Sequence, residues 1–177
     1  MTWFLNSGKS LRGVRYRNKK SKVGVKDLTQ FEAYAQKWIE AYVAIETHLN
    51  QTLKDEFPQL TFEQDCPVNE AVEKFRKALG LGVEEPIYSV AEALERKGVR
   101  VLDLTASPDI DAMAARYGDE HVVVINSSVT HERARLNGLH ELAHVLFNDC
   151  DESSEQANDQ MESRAFEFAS CALIPSK

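Results

Sequence analysis

At 177 residues, with 43% hydrophobic and 28% charged positions, the chain has the length and composition of one globular domain with a real core. No apolar run approaches a membrane span and the opening residues do not form a signal peptide. With three cysteines (Cys66, Cys150, Cys171) that match no zinc-ligand or redox spacing, a reducing cytoplasm is expected and a membrane location is not. The net charge of −7 is uneven: residues 1–26 hold eight basic residues and no acid, which leaves 13 basic against 28 acidic residues, or −15, in the remainder and argues against nonspecific nucleic-acid binding by the body.

The basic stretch 1–26 reads as a solvated, flexible arm, the one part suited to touching nucleic acid or an acidic partner. Residues 27–66 read as an N-terminal helix and connector. From Asp27 to about Leu53, Phe31, Tyr34, Trp38, Tyr42, Ile45 and Leu49 recur at the three-and-four spacing of one helical face. An aromatic stripe of this kind is usually core or interface, so it is read as a packing face. The main domain is expected over 67–177. It opens with a helix from about Asn69 through Ala71, Val72, Phe75 and Leu79 to Gly80, and a second from Ser89 to Lys97, closed by Gly98. Val99–Leu104 alternates like a strand, and 111–117 is a weaker strand, because alanines and Met113 are not strong strand formers. Gly118-Asp119 offers a turn into 121–126, the best strand in the chain. A long helix follows from about Thr130 to Phe147, with Leu136, Leu139, Ala143 and Leu146 on its apolar face. An acidic loop over 148–160 leads to a last helix from Met161 to Leu173. Helices, a small hairpin-bearing sheet and then helices read as α+β.

His140-Glu141-Leu142-Ala143-His144 is an H-E-x-x-H sequence. On a helix its two histidines lie one turn apart on one face, where both imidazoles can grip a zinc ion and Glu141 can reach a water beside it. A catalytic zinc takes three protein ligands and keeps one open position. Downstream candidates for the third are Asp149, Cys150, Asp151, Glu152, Glu155, Asp159, Glu162 and Glu167. Glu162 is preferred. It lies 18 residues past His144, enough chain to turn back, and opens a helix whose Ala165, Phe168, Ala169 and Ala172 share its face. Small residues there allow close packing on the H-E-x-x-H helix, and two histidines with one glutamate form a known catalytic set.

These blocks resemble the ImmA/IrrE metallopeptidases. The resemblance is carried by Arg133-Ala-Arg135, His140–His144, Glu162-x-x-Ala165-x-x-Phe168-Ala169 and Leu173-Ile-Pro175. Upstream, Ala78-Leu-Gly-Leu-Gly, Pro86-Ile, Leu94-Glu-x-x-Gly98-Val-x-Val and Ile125-Asn126 add to it, so it spans roughly residues 70–175. It implies a zincin-like peptidase: a small twisted antiparallel or mixed sheet packed on the active-site helix, His140, His144 and Glu162 as zinc ligands, and Glu141 as base. It also implies a protein substrate, a helix-turn-helix transcriptional repressor, cut in control of a mobile element or a stress response. Three features depart from the family: residues 1–66 hold too few helices for a helix-turn-helix of their own, Phe166 replaces a common Asn, and the sequence ends at Lys177, just after Pro175, where relatives continue. They suggest a stand-alone peptidase or a shortened chain.

Several residues are read more plainly. Arg133 and Arg135 are expected to pair with the acidic loop or the sheet, His131 to be a surface histidine at a helix start, and His48 and His121 to be incidental. A zincin substrate lies along an edge strand, expected here within the pair 111–117 and 121–126. The alternative function is a non-cleaving zinc-binding module that recognises a repressor or antitoxin; the intact Glu141 favours the enzyme.

Overall fold

The computed structural model describes residues 9–18 (backbone alone from 15), 24–52, 54, 60–82, 84–106, 110–149 and 159–174. In chain order they form β1 (Leu11–Asn18), α1 (Val25–Leu49), α2 (Val68–Ala78), α3 (Val90–Glu95), β2 (Arg100–Leu104), β3 (Ile110–Tyr117), β4 (Glu120–Asn126), α4 (His131–Leu146) and α5 (Asp159–Leu173). The architecture is α+β, with a mixed four-stranded sheet in the order β1-β3-β4-β2. β3 and β4 form an antiparallel hairpin, in which Tyr117 pairs with Glu120. The two-residue turn between them starts at Gly118, whose φ of 64° is the left-handed conformation a short hairpin needs. β2 lies parallel to β4, with Arg100 opposite Val122.

The sheet is covered on both faces. Along β4, Val122 and Val124 face one cluster with Phe31, Ala35 and Ile39 of α1, while Val123 faces the other, with α2, α3, α4 and α5. Two-sided burial accounts for the alanine-rich β3: small side chains let helices approach from both sides, a packing gain that outweighs weak strand propensity. α4 comes closest at Gly138, where a β-carbon would lie 3.3 Å from the Ile125 Cδ1 atom of β4.

Three expectations are corrected. Residues 11–18 are not a free arm. They form the outer strand β1, antiparallel to β3, with Leu11 buried and its N–H donating to Gln36 Oε1 of α1 at 2.8 Å. Residues 1–8 and 19–23 lie outside the described residues. The edge expected within 111–117 and 121–126 does not exist, because β1 covers β3 and β2 covers β4. Finally, of the aromatic stripe on α1 only Phe31 is buried, with Tyr42 half-buried, and the face that packs runs through Ala35 and Ile39 instead. Phe31, Ala35 and Ile39 are buried, whereas Tyr34, Trp38, Ile45 and Leu49 are each more than half exposed. The small Ala35 fits a close helix-on-sheet contact that Tyr34 or Trp38 would hold apart. With both β1 and α1 on the sheet, the divisions drawn at 26 and 66 do not separate packing units. Among the described residues, no helix is long and apolar enough to cross a membrane.

Candidate metal centre

α4 begins at the N-cap Thr130. Glu132 in its first turn has its pKa held below the ordinary carboxylate range, chiefly by its own backbone N–H and then by the Thr130 hydroxyl, as suits an acid at the positive end of a helix. Leu139, Leu142, Ala143 and Leu146 face the helical cluster, and Gly138 lies against the sheet. This leaves Arg133, Asn137, His140 and His144, spaced four, three and four apart, as one polar stripe. His140, Glu141 and His144 are all buried.

α5 supplies the third group. Its Ala165, Phe168, Ala169 and Ala172 are buried in the same cluster as α4, and Phe168 meets Phe147 edge-on with ring centroids 5.9 Å apart. This packing brings Glu162, in the first turn, over the histidines. His140 Nε2 is 3.2 Å from Glu162 Oε2, His144 Nε2 is 3.6 Å from Glu162 Oε1, and the two Nε2 atoms are 3.3 Å apart. Among the described residues these three form the cluster able to hold a metal ion. Glu141 Oε1 lies 3.9 Å from His140 Nε2.

The donor set fits zinc. Ligand atoms bound at about 2.0–2.1 Å around a tetrahedral centre stand roughly 3.3–3.4 Å from one another, and the observed separations bracket that spacing. Two nitrogens and one carboxylate leave a fourth corner open, and Glu162, with its side chain 38% exposed, borders the solvent side.

Behind the ligands lies a support that sequence reasoning missed. α4 ends at Phe147, Asn148 takes a left-handed φ of 53°, and the chain turns back so that the buried Asp149 places Oδ2 3.1 Å from His144 Nδ1. An Nδ1–H donated to that carboxylate leaves Nε2 as the lone-pair atom facing Glu162 and His140. The other oxygen, Oδ1, accepts from Arg164 of α5 at 2.6 Å. Asp149 was a candidate ligand; its position one layer behind His144 makes it an orienting group instead. Its spacing of five from His144 is a usable signal only once the turn at Asn148 is known. Of the other candidates, Asp159 and Glu167 are exposed, and Cys150, Asp151, Glu152 and Glu155 lie outside the described residues.

Arg133 pairs with Asp111 of β3 at 2.6 Å, as expected for a link to the sheet. Arg135 instead donates to the Ile87 carbonyl, just before α3. His131 and His48 are exposed and His121 is buried in β4. Phe166, at the departure from the family pattern, is about half exposed on α5.

No curated protein and no solved structure matches this chain. Residues 94–177, which carry the whole ligand cluster, match the model of the peptidase family Peptidase_M78, described as the IrrE N-terminal-like domain. The match over residues 94–177 supports membership of the Peptidase_M78 family, the ImmA/IrrE peptidases.

Proposed function

We propose that the protein is a zinc-dependent endopeptidase of the cytoplasm, with a zincin-like core, that cuts a partner protein. His140, His144 and Glu162 hold the ion and Glu141 is the general base. The observation that carries this reading is the convergence of two imidazole nitrogens and one carboxylate at tetrahedral spacing, with a second, buried glutamate beside them. Zinc in such a site supplies a Lewis acid and brings the pKa of water near 7. Glu141 accepts a proton from the attacking water and returns it to the amine released from the cut bond. Asp149 holds the His144 ring in the orientation its Nε2 needs. The outer strand that α4 touches is β1, so an extended peptide entering beside α4 can pair with that strand's outer side, which no other described strand covers.

The substrate best suited to the family is a helix-turn-helix repressor, cut in control of a mobile element or a stress response. The test incubates zinc-loaded protein with the repressor encoded beside its gene. Wild type should produce discrete fragments, and Glu141→Gln should lose about 10²–10⁴-fold in rate while keeping its zinc. Binding of the repressor by both forms with cleavage by neither would leave the non-cleaving recognition module as the function.

A further inference from the structure

Arg164 occupies an unusual position. It sits on α5 two residues past Glu162, yet its guanidinium reaches away from the ligand cluster to three partners. One nitrogen donates to Asp149 Oδ1 at 2.6 Å, another donates to the Gln64 carbonyl, and the group stacks over the Phe147 ring at 4.4 Å. Asp149 in turn holds His144. Gln64 belongs to the stretch 60–66 upstream of the matched domain, and that stretch is itself pinned to the end of α4. The Phe62 N–H donates to the Leu146 carbonyl at 2.8 Å, and the Phe62 ring packs on Phe147 and Phe168 at 5.2 and 6.3 Å.

We propose that Arg164 is a positioning residue for the metal centre, and that through it the 60–66 stretch holds α4, with both histidines, and α5, with Glu162, at the separation the ion needs. This rests on the zinc reading given above. The physical case is geometric. His140 and His144 share one helix, so their spacing is set by helical geometry alone. Glu162 comes from another helix, and a shift of α5 by 1 Å would undo the 3.2 and 3.6 Å separations while leaving the histidine pair intact. Arg164 bridges that junction close to Glu162. It also neutralises a carboxylate whose side chain is 1% exposed and which no solvent could otherwise stabilise. Its planar fork serves Asp149 and the Gln64 carbonyl at once and stacks on an aromatic ring, a combination that lysine's single ammonium cannot reproduce.

The experiment measures zinc affinity by competition with a chromophoric chelator, for wild type, Arg164→Ala, Arg164→Lys, Asp149→Asn, the Arg164→Ala/Asp149→Asn double variant and, as a control, Arg96→Ala. Arg96 is exposed and paired only locally with Glu92. Arg164→Ala should weaken zinc binding by about 10–100-fold, the usual effect of losing a group that orients a metal ligand. Arg164→Lys should fall between it and wild type, and Arg96→Ala should not change. If Arg164 acts through Asp149, the double variant should be no weaker than the worse single one. Thermal melting of the metal-free proteins runs alongside, because a merely structural arginine would lower the melting temperature and leave the affinity of the folded fraction alone. Zinc affinity of Arg164→Ala within twofold of wild type, or losses that multiply in the double variant, would overturn the proposal. A wild-type chain that takes up no zinc overturns the metal reading itself, a result distinct from either.

Discussion

Buried polar groups around the site divide by whether they have protein partners. Asp149 satisfies both oxygens, one on His144 and one on Arg164. Asn137, one turn before Glu141 and 1% exposed, has an Nδ2 group with no hydrogen-bond partner among the described residues. An amide donor taken out of water and left unpaired costs about 1–3 kcal/mol, so this residue holds the metal-free fold below its attainable stability. Asn137→Leu, similar in size and without the donor, should stabilise the metal-free protein by about 1 kcal/mol in urea unfolding. An unchanged or lower midpoint would mean that the amide is satisfied in solution. The two residues also mark what the sequence could tell at this scale. The ligand pair was legible because helical spacing alone fixes it, and Glu162 because the face of small residues on its helix announced close packing. Asp149 was not. It carries the same carboxylate as its acidic neighbours, and its role comes from a single left-handed residue, Asn148, that reverses the chain.

Among the elements, α1 shows how periodicity can identify a helix and miss its orientation. It carries two apolar stripes side by side, Phe31/Ala35/Ile39 and Tyr34/Trp38/Ile45/Leu49, and the bulkier one looks more like a core face. The sheet selects the smaller, for steric reasons that depend on β3 and β4 rather than on α1. β1 was illegible for a related reason. Leu-Arg-Gly-Val-Arg-Tyr-Arg-Asn lacks a clean two-residue alternation, and its pairing with β3 breaks register twice. A free edge on β3 and the Gln36 side chain that receives Leu11 make it a strand, and both are distant in sequence. α1 is also tied to the sheet by charge: Glu46 Oε2 accepts from Arg100 of β2 at 2.8 Å, with the two side chains 9% and 1% exposed. Removing Glu46 leaves the buried Arg100 with Glu120, 3.4 Å away, as a weaker counter-charge. Glu46→Ala should therefore cost up to about 3–5 kcal/mol in chemical denaturation, whereas Glu46→Leu with Arg100→Met, which removes both charges of the pair, should cost less. Equal losses in the two proteins would show that packing volume, not the loss of the Glu46 charge beside Arg100, is what matters there.

At the level of the whole molecule, the region matching the family and the unit that packs are different lengths of chain. Residues 94–177 contain all four candidate site residues and three of the four strands. Yet one sheet face is closed by Phe31 and Ile39 of α1, and the helical cluster around α4 is completed by Phe62, Val72 and Phe75. Each of these five side chains is worth about 1.5–3 kcal/mol when buried. Together they match the whole net stability of a typical domain, about 5–15 kcal/mol. An excised 94–177 fragment should therefore lack a cooperative unfolding transition and expose apolar surface, even though every metal-ligand candidate is present. Circular dichroism through a urea titration, with a hydrophobic dye as a second probe, distinguishes the outcomes. A sharp transition near that of the full chain would mean that α1, α2 and the 60–66 stretch are accessory. A broad, dye-binding response would mean that the metal centre is held by residues outside the region that names its family. It would then follow that zinc affinity in the fragment falls with its order, since the direct packing of α5 on α4 and the Arg164–Asp149 pair would have to set their separation without the 60–66 stretch.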